Sequence, residues 1–191
     1  MEEKSKQTRN QPAELIKVVI YGPESTGKTT LAKQLATHFN TFWVPEYMRE
    51  FLQKKWDSEK KLVQKEDLIP IAKGQMRLEN ELSEKVNDLL ICDTNLLELK
   101  VYSEYYYDGF CPTEIKNEAT KNNYSIYFLT YVDTPWEADD LRDRPENREE
   151  MFRIFEAELK KQGFPYKILK GNEKERFETA VKIIEELLKK N

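Results

Sequence analysis

Cysteine is scarce in this 191-residue chain, which holds only two, Cys92 within an apolar run and Cys111 in a loop-like stretch. Small disulfide-stapled domains carry several cysteine pairs, and Cys-based zinc sites need paired cysteines at short spacing. Neither pattern is present, so the sequence indicates neither a disulfide framework nor a zinc site of that kind. We therefore expect a protein of the reducing cytoplasm.

Long apolar runs are missing as well. No segment approaches the ~20 apolar residues that a membrane-spanning helix needs. Residues 1–13 are polar and mixed in charge, without the apolar stretch of a secretory signal. We expect neither membrane insertion nor secretion, and we interpret residues 1–13 as a flexible leader before a single domain at 14–191.

The chain has no strong excess of either charge. Charged residues make up 35% of it, yet they nearly cancel to a net charge of -4. Proteins that bind nucleic acid through the phosphate backbone present a basic surface. We therefore expect no nucleic-acid partner, and the sequence leaves the oligomeric state open.

What the chain does contain is a glycine-rich loop between an apolar run and a helical pattern. The loop, residues 22–30, has the phosphate-binding spacing Gly-x-x-x-x-Gly-Lys-Ser/Thr and is called the P-loop below. Its glycines let successive backbone N–H groups converge on phosphate oxygens near the positive end of the next helix. Lys28 should reach the terminal phosphates, and Thr29 should offer its hydroxyl to Mg2+. The predicted nucleotide-binding residues are Gly22, Pro23, Glu24, Ser25, Thr26, Gly27, Lys28, Thr29 and Thr30.

Strand and helix patterns alternate along the chain. The expected strands lie near 15–21, 41–45, 88–93, 124–132 and 165–169, and the expected helices near 28–39, 47–52, 65–86, 96–106, 113–122, 148–162 and 176–188, with a polar loop at 54–61. Near-continuous apolar strands are typical of parallel sheets covered by helices. The predicted fold class is α/β, a P-loop NTPase fold with a five-stranded parallel sheet, helices on both faces and an arginine-containing lid.

Two carboxylates follow predicted strands at one edge of that sheet. Asp93 closes the apolar run 89–92, the form of a Walker B strand whose acid helps to hold Mg2+. Glu46 follows Pro45, which ends the second strand. If strand two lies one strand beyond strand three, a spacing of ~4.8 Å per strand puts Glu46 about 10 Å from the P-loop strand. An acceptor molecule would fit between them.

The lid is predicted from an arginine- and acid-rich stretch after the fourth strand. It spans residues 134–148 and contains Trp136, Arg142 and Arg148. An insertion at a strand's carboxyl end can fold over a nucleotide and bring arginines to the transferring phosphate. The alternative is a solvated loop, in which each exposed ion pair contributes only ~0 to 1 kcal/mol.

These features together favour a small-molecule kinase. Such an enzyme needs an acceptor pocket beside the terminal phosphate, a proton-accepting carboxylate, a metal-holding acid and cations for the developing charge. The predicted catalytic residues are Lys28, Glu46, Asp93, Arg142 and Arg148, with ATP as donor and Mg2+ on Thr29 and Asp93. A GTPase is disfavoured because no Asn-Lys-x-Asp motif occurs. A regulatory P-loop ATPase without an acceptor is the alternative.

The chain resembles the NadR-type ribosylnicotinamide kinase domain over nearly its whole length after the leader. The matching motifs are the P-loop, Pro45-Glu46-Tyr47-x-Arg49-Glu50, Gly74-Gln75, Cys92-Asp93-Thr94 and the Thr134-Pro135-Trp136 stretch with Arg142 and Arg148. The resemblance implies ATP-dependent phosphorylation of the 5'-hydroxyl of nicotinamide riboside, giving nicotinamide mononucleotide for NAD. It leaves open whether Glu46 or Asp93 accepts the proton. The predicted substrate-binding residues are Glu46, Tyr47, Arg49, Gln75, Asp93 and Trp136.

The chain departs from the bifunctional members of that family. His38 is its only histidine, so it lacks the His-x-Gly-His signature of the adenylyltransferase, and no DNA-binding domain is indicated before residue 15. Asn95 also stands where the family often has a second acid after Asp93. We expect a kinase without adenylylation or repression, and a related kinase for another nucleoside or vitamin alcohol is the alternative acceptor assignment.

Overall fold

A computed structural model describes residues 14–121, 124–137 and 145–191. The predicted leader, and Arg142 with the centre of the predicted lid, lie outside the described residues. The described residues form one parallel sheet in the order β2-β3-β1-β4-β5. Its strands are β1 (Ile16–Tyr21), β2 (Trp43–Val44), β3 (Leu89–Asp93), β4 (Ile126–Thr130) and β5 (Tyr166–Leu169). The five-stranded parallel sheet predicted from the sequence is confirmed.

Helices cover both faces of the sheet. They are α1 (Lys28–His38), α2 (Tyr47–Glu59), α3 (Leu68–Ser83), α4 (Leu96–Tyr106), α5 (Thr113–Ala119), α6 (Arg148–Gln162) and α7 (Glu173–Lys190). Within the described ranges, no helix is long and apolar enough to cross a membrane.

Alternate residues of the central strand face two separate cores. Val19 and Tyr21 of β1 belong to the core that packs against residues of α3 to α6. Val18 and Ile20 belong to the core on the other face, which includes residues of α1 and α7. Because β1 is buried on both faces, it is apolar at nearly every position, as a central parallel strand should be.

The strand register brings the predicted site residues to one edge. Ile20 of β1 pairs with Asp93 of β3, so the P-loop and Asp93 leave the sheet side by side. Val44 of β2 pairs with Cys92, which places Glu46 just beyond the same edge. The predicted placement of β2 one strand beyond β3 is therefore correct.

The most substantial difference from the sequence prediction is the length of α2, because the predicted loop at 54–61 is helical as far as Glu59. Its polar residues pair along the helix, with Lys54 and Glu50 2.5 Å apart and Gln53 and Asp57 3.0 Å apart. Such pairs support a helix that has no fully buried residue. The helix ends where Lys60 adopts a left-handed conformation with φ 53°.

Other helices also begin or end at residues different from those predicted. The segment predicted as helix from Lys65 to Val86 is a 3-10 turn at Lys65–Asp67 followed by α3, which ends at Ser83. The last helix starts at Glu173 rather than near Arg176, because Asn172 and Glu175 form a reciprocal capping box that satisfies its first N–H groups.

Candidate functional site

The P-loop joins β1 to α1 through a backbone that only small residues allow. Gly22 has φ 138°, and a Cβ there would stand 2.7 Å from Oγ1 of Thr130 and 3.0 Å from its carbonyl oxygen. Gly27 has φ 79° and immediately precedes α1. The buried hydroxyl of Thr26 donates to the Pro23 carbonyl at 2.7 Å and lies 2.7 Å from that of Thr130. Thr130 at the end of β4 thus packs against the loop.

Lys28 is buried at the start of α1 and its ammonium group is folded onto the loop. Its Nζ donates to the carbonyl oxygens of Gly22 at 2.8 Å and Pro23 at 2.9 Å. The same atom lies 3.2 Å from Oε1 of Glu98. Coulomb attraction from Glu98, and then from Glu46 and Asp93, outweighs the opposing effect of burial and raises the pKa of Lys28. The lysine therefore stays charged beside the position expected for phosphate.

Thr29 and Asp93 are two neighbouring oxygen-bearing side chains that could hold a cation such as Mg2+. The Thr29 hydroxyl donates to Oδ2 of Asp93 at 2.6 Å. The other carboxylate oxygen, Oδ1, is buried without a hydrogen-bond partner among the described residues. Burial, and next the charge of Glu46, raise the pKa of Asp93 to about 6. An arriving cation would satisfy both the unpartnered oxygen and the buried charge.

The described residues offer no cluster of three or more His, Cys, Asp and Glu side chains that could hold a metal. A site built from one hydroxyl and one carboxylate leaves most of the coordination sphere open. Mg2+ has this preference, because it keeps several waters and shares the remaining positions with nucleotide phosphates.

Glu46 is the residue immediately before α2, and contacts of the residues on either side of it fix its backbone. The side-chain oxygen of Gln75 accepts from the backbone N–H of Tyr47 at 2.8 Å, and the Gln75 amide donates to the Pro45 carbonyl at 3.3 Å. The Tyr47 ring lies against Gly74, where a Cβ would come within 2.0 Å of it. Gly74 and Gln75 of α3 thus set the path of the backbone through Glu46.

A pocket of about 530 Å³ runs along this edge of the sheet. Its lining includes residues 24–31 of the P-loop and α1, and Glu46, Arg49 and Glu98. It also includes the apolar and aromatic side chains of Leu52, Leu62, Val63, Tyr102, Tyr106 and Tyr107. One continuous cavity therefore connects a phosphate-binding loop to a surface suited to a flat organic ring.

The first and last residues of the predicted lid, Thr134 and Arg148, are hydrogen-bonded to each other and to the P-loop. Arg148 donates to the carbonyl oxygens of Thr134 at 2.7 Å and Ser25 at 2.9 Å. Its guanidinium lies 5.7 Å from the centre of the Trp136 ring, a cation–π distance. Trp136 and Arg148 thus contact each other, but neither lines the pocket, whereas Thr134, Pro135 and Glu137 do. Arg142 lies outside the described residues.

The predicted residues do not all face the pocket. The loop residues 24–30, Glu46 and Arg49 line it. Gly22 and Pro23 support Lys28 from behind through their carbonyl groups. Gln75 and Asp93 are buried and do not line the pocket. Tyr47 lines a separate groove together with other residues of α2.

Sequence reasoning missed two charged residues at the site. Glu98 of α4 is 2% exposed and accepts from the backbone N–H of Gly22 at 3.3 Å in addition to its contact with Lys28. Arg176 of α7 donates to the Thr26 carbonyl at 2.7 Å and also pairs with Asp133. The only sequence signal for Glu98 is an acid within the apolar pattern of α4. Nothing in the sequence around Arg176 marks it.

Comparison with known proteins agrees with this geometry. The sequence profile of the AAA domain family matches residues 17–176. The trifunctional NAD biosynthesis/regulator protein NadR of Salmonella typhimurium strain LT2 is 28% identical over 125 residues, a segment that makes up 65% of this chain and 30% of the relative. The matched segment thus spans less than a third of that protein. The resemblance to NadR seen in the motifs is confirmed.

Solved structures show the same fold. A NadR protein in complex with NR superimposes with a TM-score of 0.75 at 21% identity, covering 90% of this chain and 51% of that one. Deoxyadenosine kinase from M. mycoides, solved with dCMP and dCDP, superimposes with a TM-score of 0.68 at 16% identity, covering 90% of this chain and 100% of the kinase. The fold is that of P-loop kinases.

Proposed function

Because the chain belongs to the AAA domain family, with residues 17–176 matching its profile, we propose that its P-loop binds ATP for a phosphoryl transfer. The reaction is the phosphorylation of the 5'-hydroxyl of nicotinamide riboside to nicotinamide mononucleotide. The observation that carries this proposal is that the P-loop, Glu46 and several aromatic side chains line one pocket. A regulatory ATPase has no need of an acceptor site beside its nucleotide.

Nucleotide binding is assigned to the P-loop and its supports. The backbone N–H groups of residues 24–30 and the charged Lys28 hold the phosphates, and Thr29 and Asp93 hold Mg2+. When bound, Mg2+ neutralises charge on the phosphate oxygens. The unpartnered Oδ1 of Asp93 supports this role, since an uncompensated buried carboxylate oxygen is otherwise unfavourable.

Glu46 is proposed to accept the proton from the acceptor hydroxyl. It is only half-buried and lines the pocket, so it can reach a bound acceptor. Asp93 is 1% exposed and accepts the Thr29 hydroxyl, which suits a metal ligand better than a proton acceptor. The sequence left both carboxylates open as the base, and their difference in burial supports the assignment of that role to Glu46.

Arginines from the lid are proposed to stabilise the charge that develops on the transferring phosphate. Arg148 lies at the end of the lid, bonded to the Ser25 carbonyl of the P-loop. Arg142 belongs to the part of the lid outside the described residues, and its role rests on the sequence. Arg142→Ala is expected to lower kcat more than ATP affinity, and an unchanged kcat would remove it from the transition state.

The acceptor is proposed to be nucleoside-like. Tyr102, Tyr106 and Tyr107 line the pocket and offer rings on which a planar group can stack. The similarity to NadR, which was solved with NR, supports nicotinamide riboside. Glu46, Arg49 and the Trp136 side of the pocket are proposed to contact it, with Tyr47 and Gln75 supporting Glu46 from behind. A cytoplasmic location fits a kinase of this class, which draws on the ATP pool.

A coupled ATPase assay with a panel of nucleosides tests this function. Nicotinamide riboside should accelerate ATP consumption sharply, and mass spectrometry should detect nicotinamide mononucleotide. Lys28→Ala is the control, because it removes the charge that holds the phosphates and should abolish turnover. Stimulation by a different nucleoside alone would keep the mechanism and replace the acceptor. Unstimulated turnover with every alcohol would favour a regulatory ATPase.

A further inference from the structure

Glu98 is a buried acidic residue that the proposed phosphoryl transfer does not use. It sits in the first turns of α4, is 2% exposed, and reaches under the P-loop. One carboxylate oxygen accepts from the Gly22 N–H at 3.3 Å, and the other lies 3.2 Å from Nζ of Lys28. Lys28 is the one cation that contacts it among the described residues.

The donor count of Lys28 makes this contact consequential. An ammonium group has three N–H donors. Two of them are engaged by the carbonyl oxygens of Gly22 and Pro23, at 2.8 and 2.9 Å. Oε1 of Glu98 lies 3.2 Å from the same Nζ, within ion-pair distance but without a hydrogen bond to it. A phosphate oxygen that binds Lys28 must therefore use the one donor that is left, and its negative charge competes with Glu98 for the ammonium group.

From this arrangement we infer that Glu98 is a positioning residue that competes with nucleotide phosphate for Lys28, so that ATP binding is coupled to protonation of the Glu98 carboxyl group. A carboxylate that loses its cation inside a buried site is strongly disfavoured as an anion, and takes up a proton instead. The negative charge of the arriving phosphates further disfavours the ionised form of Glu98. The inference rests on the proposed binding of ATP at Lys28.

The charged surroundings of Glu98 favour the same outcome. Lys28 on α1 is the cation that favours its ionised form, whereas Glu46 at the start of α2 and Asp93 on β3 oppose it. Tyr21 on β1 and Tyr102 on α4 are also near Glu98, and burial, followed by the charge of Glu98, raises the pKa of both tyrosines so that they stay neutral. Burial is the largest influence on Glu98 itself and raises its pKa to about 8. Small changes in its contacts therefore alter its charge near neutral pH.

The test is the dissociation constant for ATP as a function of pH. Wild-type Kd should increase as the pH rises from about 7 to about 9, with a slope of at most about tenfold per pH unit for one proton. Glu98→Gln keeps the shape and an oxygen that can accept from Lys28 but cannot ionise, so its Kd should be nearly constant over this range. The matched control is Glu104→Gln on the same helix, whose carboxylate pairs with Lys100 and Lys116 and does not line the pocket. It should retain the wild-type slope.

A second measurement needs no variant. Calorimetric titration of wild-type protein with ATP at about pH 8, in buffers of different ionisation enthalpy, should reveal net proton uptake, because the ATP phosphates are already ionised there. Equal slopes in wild type and Glu98→Gln, or no proton uptake, would overturn the inference. Failure of wild type to bind ATP at all would instead overturn the proposed function, so the two failures are distinguishable.

Discussion

The carboxamide of Gln75 forms hydrogen bonds with the backbone on both sides of Glu46. Its oxygen accepts from the N–H of Tyr47 at 2.8 Å, and its amide donates to the carbonyl of Pro45 at 3.3 Å. The two peptide groups that flank Glu46 are thus tied to one buried side chain of α3. The direction of the proposed proton acceptor depends on a residue that does not line the pocket.

Gln75→Leu should therefore impair the chemical step more than nucleotide binding. The variant keeps the volume but leaves both peptide groups without their partner, and a shift of Glu46 by about 1 Å can lower kcat by about a hundredfold. Steady-state kinetics and ATP titration separate the two effects. Gln162→Leu, which removes a bond to Glu158 on α6, is the control and should have wild-type kcat. A rise in the Kd for ATP with unchanged kcat would contradict the prediction.

Gly74→Ala tests the contact between α2 and α3. A methyl group at this position would lie 2.0 Å from the Tyr47 ring, so the ring must move. We expect the free energy of unfolding to fall by about 1–3 kcal/mol, the usual effect of overpacking. Chemical denaturation measures it. The double variant with Tyr47→Ala should lose less stability than the sum of the two single variants, since the clash is absent without the ring. Strict additivity would rule out the clash.

Asp93→Asn should make the ligand-free protein more stable and inactive. The folded-state pKa of Asp93, about 6, lies above its ordinary value of 3.8 because of burial and the charge of Glu46. The stabilisation linked to its proton is therefore present below about pH 3.8 and lost as the pH rises through about 6. Without Mg2+ or nucleotide, the variant should have a higher Tm than wild type at about pH 8 and little advantage at about pH 4. A pH-independent difference in Tm would refute this account.

Arg148→Lys should weaken nucleotide binding although it keeps the charge. The guanidinium bridges the carbonyl groups of Thr134 and Ser25 and lies at a cation–π distance from Trp136, a geometry that a single ammonium group cannot reproduce. We expect Kd for ATP to rise about tenfold, which corresponds to the loss of roughly one charged hydrogen bond. Arg153→Lys, an exposed position on the same helix, should bind as wild type does. Unchanged affinity in Arg148→Lys would separate this contact from the P-loop's function.

The sequence was most informative where a residue's type and spacing alone determine its position. The P-loop, the buried strands and Asp93 follow from local patterns, and strand adjacency then brings Glu46 to the same edge. The end of α2 could not be predicted in this way, because its polar residues pair with one another rather than with a core. Periodicity of apolar residues carries no signal for such a helix.

Contacts between distant parts of the chain were the other limit. Glu98 reaches Lys28 across 70 positions and Gln75 reaches Tyr47 across 28. Whether a buried polar side chain faces a substrate or a peptide group depends on helix packing, which spacing does not specify. Gln75 stood out in the sequence as a polar residue on an apolar face, yet its partners became visible only in the folded chain.

Arg176 of α7 joins the P-loop to the segments that follow β4 and β5. Its guanidinium donates to the Thr26 carbonyl at 2.7 Å, to Gly171 at 2.9 Å and to Tyr131 at 2.9 Å. Thr26 and Arg176 are 150 residues apart. During synthesis the loop therefore leaves the ribosome long before the helix that holds its carbonyl group. A nascent chain that stops before α7 would present the nucleotide-binding motif without its support, and competence to bind nucleotide should arise only as the last helix docks.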